Sequence, residues 1–266
     1  MILVQISDPH VSLPGSIPDR RYCSADRLQT ALNRINGFHP TPDAVVITGD
    51  LVDAVTPEEY DRLAGILASL KMRCHLLLGN HDSADMLRQA LPGHAYLPDG
   101  PDIQYVIDDL PVRLIMLDTN IPKRPEGELT PARLDWLAAQ LAAAPDRPTM
   151  IFMHHPPMIT GLQAMDRMGL VRGRTELAEL MQGHKQVLRI CCGHLHRPIL
   201  GLCGPVPVQT CPSVAHQIDL DLNRDDWVGL VQEPPSMLVH TYSADAGLIS
   251  HTALIDSFPE YPDNRS

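Results

Sequence analysis

Five short stretches of this chain bring aspartate, asparagine and histidine close together. They are Asp8-x-His10, Gly49-Asp50-x-x-Asp53, Gly79-Asn80-His81-Asp82, His154-His155-Pro-Pro and Gly193-His194-x-His196. Carboxylate, carboxamide and neutral imidazole are mixed oxygen and nitrogen donors suited to borderline divalent ions such as manganese, iron, cobalt or zinc. In extended backbone, side chains two apart share a face, so the spacing of His194 and His196 predicts shared use. Taken singly, each stretch is explained as well by a turn, a helix cap or loop packing. Five together resist that explanation, because it must be invoked independently each time. The donors also outnumber the needs of one tetrahedral ion. A carboxylate shared by two ions, roughly 3.5–4 Å apart, accounts for the surplus.

Each stretch follows a short apolar run that reads as a strand: "ILVQI", "DAVVITG", "CHLLLG", "TMIFM" and "VLRICC". Helical patterns lie between them. "SADRLQTALNRI" offers Ser24 as N-cap, and "TPEEYDRLAGILASL" offers Thr56 as N-cap with Pro57 and acids in the first turn. "TPARLDWLAAQLAAA" repeats that signature with Thr130 and Pro131, and "TELAELMQ" adds a further helix. Strands alternating with helices imply βαβ units and a mostly parallel sheet. The carboxyl ends of such strands share one edge, where ligands bind. "IQYVID" and "VRLIML" predict a hairpin, and "VPVQT", "AHQID", "SMLVHTY" and "GLISHTA" make the end of the chain β-rich.

The 266 residues fit one large α/β domain with elaborations, or a domain plus a small appendage. Residues 1–220 read as the domain that carries the site, and 221–235 as a hairpin or cap excursion. Residues 236–256 then supply the final strands of the same sandwich, and 257–266 are a tail. The excursion lies in "DLDLNRDDWVGLVQEPP", whose Trp227, Val228, Leu230 and Val231 must bury an apolar side somewhere. A net charge of −11 argues against a nucleic-acid polymer as partner. Six cysteines without Cys-x-x-Cys spacing, an opening "MILVQISD" that reads as a strand, and no long apolar run point to the cytoplasm and away from a membrane. Two loops, "SLPGSIPDRRYCS" and "MITGLQAMDRMGL", are placed to set specificity. Tyr22 and His216 are candidate substrate contacts, Arg20 and Arg21 are either that or part of a solvated loop face, and Met165 and Met168 are expected to pack.

In order and spacing, the five stretches resemble the calcineurin-like metallophosphoesterases, from residue 8 to residue 196. "CPSVAHQ" and the β-rich end resemble the branch that holds class III cyclic nucleotide phosphodiesterases and bacterial glycerophosphodiesterases. The resemblance implies a four-layer α-β-β-α sandwich of two mixed sheets with a small β-rich C-terminal cap or arm. It implies two divalent ions per chain: Asp8, His10 and His196 on one, Asn80, His155 and His194 on the other, and Asp50 bridging. His81 then serves catalysis from outside the ligand set, while Asp53 and His154 orient the ligands. The implied activity is hydrolysis of small phosphodiesters by a metal-activated hydroxide, with 3',5'-cyclic nucleotides such as cyclic AMP foremost. Glycerophosphodiesters, or a broader set of diesters and phosphonate monoesters, are the alternative; a non-catalytic scaffold is a distant one. The same resemblance suggests a homo-oligomer, a dimer at least, with the excursion at the interface.

Overall fold

A computed structural model describes residues 1–259 of the chain. The first part alternates strand and helix: β1 (Ile2–Ile6), α1 (Ile17–Tyr22), α2 (Ser24–Asn36), β2 (Ala44–Ile47), α3 (Pro57–Leu67), β3 (Cys74–Leu76) and α4 (Ala84–Ala90). A hairpin follows, β4 (Tyr105–Ile107) with β5 (Arg113–Met116). The chain continues through β6 (Gly127–Glu128), α5 (Pro131–Ala142), β7 (Thr149–Phe152), α6 (Gln163–Asp166), β8 (Leu170–Arg172), α7 (Arg174–Gln182) and β9 (Val187–Cys192). The rest is β: β10 (Leu200–Cys203), β11 (Val206–Thr210), β12 (Gln217–Ile218), β13 (Leu230–Val231), β14 (Ser236–Ser243) and β15 (Gly247–Leu254).

Two mixed sheets result. One has the order β15-β14-β1-β2-β3, the other β10-β11-β9-β7-β5-β4. The strands that carry the five stretches all take part in parallel pairs: β1, β2 and β3 in the first sheet, β7 and β9 in the second, where β5 and β11 flank them in parallel as well. Alternation along each strand divides the apolar residues between two layers of core. Leu114, Met116, Met150 and Phe152 pack with the first sheet, while Ile115, Leu117, Ile151 and Met153 pack with Leu137 and Leu141 of α5 and Leu177 and Met181 of α7. On the far side, α2 buries Leu28, Ala31, Leu32 and Ile35, and α3 buries Tyr60, Leu63 and Leu67. Those spacings form one helical stripe each. The expected four-layer α-β-β-α sandwich is the fold observed.

Thr56 and Thr130 cap their helices as expected, Thr56 in a reciprocal capping box with Glu59. Ser24 does not cap. The loop before it contains α1, whose N-cap is Ser16, and α1 runs almost directly into α2. One left-handed residue, Cys23 (φ 51°), closes the first helix and opens the second, which leaves Ser24 inside the helix. Late in the chain, β12 and β13 pair antiparallel, so 219–229 form the tip of a hairpin. Trp227 and Leu230 are exposed on it, whereas Val228 packs on Leu162, Met165, Leu195 and Ile218. β14 and β15 then return to the first sheet beside β1. Of the expected tail, 257–266, only the first three residues are among those described. Among the described residues, no helix is long and apolar enough to cross a membrane.

Candidate metal centre

The ends of β1, β2, β3, β7 and β9 meet between the sheets. The described residues include eight non-glycine residues with positive φ, and five are expected ligands: Asp8 (51°), His10 (42°), Asp50 (50°), His194 (68°) and His196 (51°). Each such conformation costs of order 1–3 kcal/mol and persists only where the surroundings over-determine it. The two histidines of Gly193-His194-x-His196 therefore do not share an extended face. β9 has already ended at Cys192, and the left-handed turns send the imidazoles into adjoining pockets.

In the first pocket, His10 Nε2 lies 3.2 Å from His196 Nε2 and 3.5 Å from Asp50 Oδ2. His196 Nε2 is also 3.5 Å from Asp8 Oδ1. His196 donates through Nδ1 to the His216 carbonyl at 2.8 Å, which fixes its tautomer and leaves the Nε2 lone pair facing the pocket. The Asp8 carboxylate is steadied by the backbone N–H of His194 at 3.0 Å. Asp53 Oδ1 stands 3.6 Å from His10 Nδ1, placed to orient that ring.

In the second pocket, Asn80 Oδ1 is 3.1 Å from His194 Nδ1 and 3.3 Å from His154 Nε2. Asp50 Oδ1 is 3.4 Å from the same His154 nitrogen. The two oxygens of Asp50 thus face different pockets. His154 donates through Nδ1 to the Thr48 carbonyl at 2.7 Å, so its Nε2 is the inward atom. His155 is committed elsewhere: Nδ1 meets Thr119 Oγ1 at 2.8 Å and Nε2 meets the Pro125 carbonyl at 3.2 Å. These contacts turn His154 Nε2 inward and engage both ring nitrogens of His155, where the inward part was expected of His155, although ligand atoms of His154, His155 and His194 all lie within 4.8 Å of one another. Alternation along β7 is the reason: Met150 and Phe152 face the inter-sheet core and His154 continues that row, while His155 continues the outer row of Ile151 and Met153.

The electrostatics follow from burial and crowding. Burial pushes the Asp8 carboxyl up to about 6. Burial also works against the charge on Asp50, but the imidazoles of His154, His10 and His81 outweigh it and hold the carboxyl well below its usual range. Burial opposes the charge on His154 as well, yet Asp50 and Asp8 raise it to about 9. Burial and the His154 ring lower His194 to about 3; burial with the His216 and His10 rings holds His196 well below the ordinary range. The ligand atoms of Asp8, His10, Asp50 and His196 all lie within 4.8 Å of one another, all four residues being buried. Four acceptors converging without a fixed donor among them repel unless a cation or extra protons join them. The donor set therefore fits a pair of divalent ions.

His81 is half-buried at the mouth. Its Nδ1 donates to the Asp53 carbonyl at 2.7 Å, which leaves Nε2 open, and its ring meets His10 edge-on at 4.9 Å. A cleft of about 400 Å3 opens over both pockets. Tyr22 stacks on His216 with centroids 4.3 Å apart, and Arg21 reaches the rim. Arg20 does not line the cleft; it donates to the Gly15 carbonyl instead. Met165 packs as expected, but it and Met168 also form apolar wall, together with Ile17, Val228 and Leu230. Thr119 and Asn120, not among the expected site residues, follow β5 at the same edge and hold the site from behind. "LDTN" after the apolar run of β5 was the available signal.

Residues 1–198 match the family model described as calcineurin-like phosphoesterase. The chain is similar to the Probable glycerophosphodiester phosphodiesterase GpdQ of Arcobacter nitrofigilis, 36% identical over 258 residues that cover 97% of this chain and 94% of that one. It is similar also to a protein of Rhodopseudomonas palustris named as a Probable cyclic nucleotide phosphodiesterase, 35% identical over 238 residues, 88% of this chain and 86% of that one. Among solved structures, a dimetal phosphatase from Danio rerio shares the fold with a TM-score of 0.61 at 16% identity, covering 96% of this chain and 99% of that one.

Proposed function

Because the chain belongs to the calcineurin-like phosphoesterase family, we propose that its two adjoining pockets hydrolyse small phosphodiesters, with 3',5'-cyclic nucleotides as the foremost substrate. One observation carries the reading: Asp50 divides its oxygens between two clusters of otherwise unbalanced acceptors. Asp8, His10, Asp50 and His196 would hold one divalent ion; Asp50, Asn80, His154 and His194 would hold the other. When bound, such a pair of ions lowers the pKa of water and neutralises charge on phosphoryl oxygens. With every donor position filled, nothing favours a scaffold that has lost its ligands.

The chain's own groups do the rest. His81, with its Nδ1 proton held by the Asp53 carbonyl, presents Nε2 to the cleft and is placed to hold a proton for the leaving oxygen. The Tyr22–His216 stack offers a flat face, and the apolar wall shields the reacting centre from water. A nucleobase gains from such a wall, whereas a glycerol arm gains little. Glycerophosphodiesters remain the second reading, favoured by relatives of that name at 36% and 35% identity. A panel of cyclic AMP, glycerophosphodiesters, aryl diesters and aryl monoesters separates these readings. The highest kcat/KM is expected on cyclic AMP, and a highest value on monoesters would remove the diesterase assignment altogether.

The six cysteines are free thiols, five of them buried, which suits a reducing cytoplasm. The exposed Trp227 and Leu230 on the β12–β13 hairpin support a homo-oligomer that uses this arm near the mouth of the cleft.

A further inference from the structure

Asn120 lies beyond the end of β5, buried, and touches none of the pocket's donor atoms. Its amide Nδ2 donates to the Gly79 carbonyl at 2.6 Å and approaches the Asp82 carbonyl at 3.4 Å. The Gly79 carbonyl belongs to the peptide plane that contains the Asn80 nitrogen. Fixing that plane sets the direction in which the Asn80 side chain leaves the backbone. On the other side of Gly79 the space is already taken: a Cβ there would lie 2.2 Å from Asp50 Oδ1. The Gly79–Asn80 peptide is thus held between Asp50 and Asn120.

Asn120 is itself anchored at both backbone groups. Its N–H donates to Asp118 Oδ1 at 2.7 Å, and its carbonyl accepts from Arg133 Nη2 at 3.0 Å. Arg133 in turn is fixed by Asp102 at 2.6 Å. Both partners of the Asn120 amide are carbonyls, which assigns the nitrogen to that side. A rigid chain therefore runs from Asp102 through Arg133 and Asn120 to the peptide of Asn80.

We infer that Asn120 is a positioning residue for the second pocket, setting Asn80 Oδ1 against His154 and His194. The inference rests on the metal reading above. Groups that orient a metal's ligands typically change its affinity roughly 10- to 100-fold when removed. Asn120→Asp keeps the volume but sets an acceptor against two carbonyls, and Asn120→Ala removes the contact.

The test is calorimetric titration of the metal-stripped full-length protein with Mn2+, with thermal melting of the stripped protein as a check on folding. Wild type should take two ions. Both variants should keep the first ion at wild-type affinity and bind the second roughly 10- to 100-fold more weakly. Two ions bound as in wild type would overturn the inference, as would equal weakening of both. If both variants fail to melt cooperatively, Arg133→Lys must show the selective loss of the second ion, and its absence there overturns the proposal. Wild type taking up fewer than two ions would instead sink the metal reading, and this inference with it.

Discussion

At the scale of single residues, the site is defined by which atom each side chain turns inward. Asp50→Ala removes the one group common to both pockets, so it should lower the metal content as well as the rate. His81→Ala should leave two ions bound while lowering kcat roughly 10²- to 10⁴-fold, the usual contribution of an acid or base. Metal analysis beside kinetics checks both, and loss of the ions in His81→Ala would show that residue to be misplaced. His154→Ala should cost the second ion, whereas His155→Ala should keep it; the opposite pattern would restore the roles implied by resemblance. The donor residues were legible in the sequence because their types and clustering are chemical facts. Which of two adjacent histidines faces inward depends on strand parity, and "TMIFMHH" holds that information once Phe152 is known to face the inter-sheet core. The left-handed backbone at Asp8, His10, Asp50, His194 and His196 was not legible: Asp and His are enriched in that region, yet only a few per cent of non-glycine residues adopt it, so residue type alone does not mark the position.

At the scale of elements, the parallel strands, their order of use and the Thr56 and Thr130 caps were legible from periodicity and cap chemistry. α1 was not, because "IPDRRY" buries no side chain and has no apolar stripe to read. Two strands also carry neutral histidines that make stability depend on pH. Burial and the Arg73 charge lower His75 of β3 to about 4; Asp109 and His94 lie nearby, and the rings of Tyr96 and Tyr105 pack against it. Burial and Arg189 lower His240 of β14 to about 3. Both titrate near 6.5 when unfolded, so below that pH the unfolded chain binds protons first. Their stabilisation is complete above about 6.5 and is lost progressively towards 4 and 3, at about 1.4 kcal/mol per group and pH unit. Urea midpoints should fall on acidification from pH 6.5, and His75→Phe should flatten that slope; an unchanged slope would refute the assignment. The β12–β13 hairpin gives another test. Deleting 221–233 should yield smaller particles and a relaxed preference for bulky diesters, and sedimentation of the intact chain as a monomer at micromolar concentration would count against an interface role.

For the whole molecule, the arrangement resolves a conflict between net charge and chemistry. A chain of net charge −11 is poorly suited to attract an anionic diester, yet its cleft gathers the carboxylates under a site suited to two divalent cations, which invert the local field. Joining two sheets, rather than extending one, makes this possible: β1, β2 and β3 bring the aspartates, His10 and Asn80 from one side, while β7 and β9 bring His154, His194 and His196 from the other. That the strand ends converge was legible in the sequence. That the chain divides into two sheets came from resemblance, because periodicity alone does not say where one sheet stops. The two-ion site is tested most directly by stripping the full-length protein of metal, confirming its emptiness by elemental analysis, and titrating Mn2+ while following hydrolysis of an aryl phosphodiester. The stripped protein should show no diesterase activity, with recovery that saturates at two ions per chain; full activity with no metal bound would contradict a two-ion site.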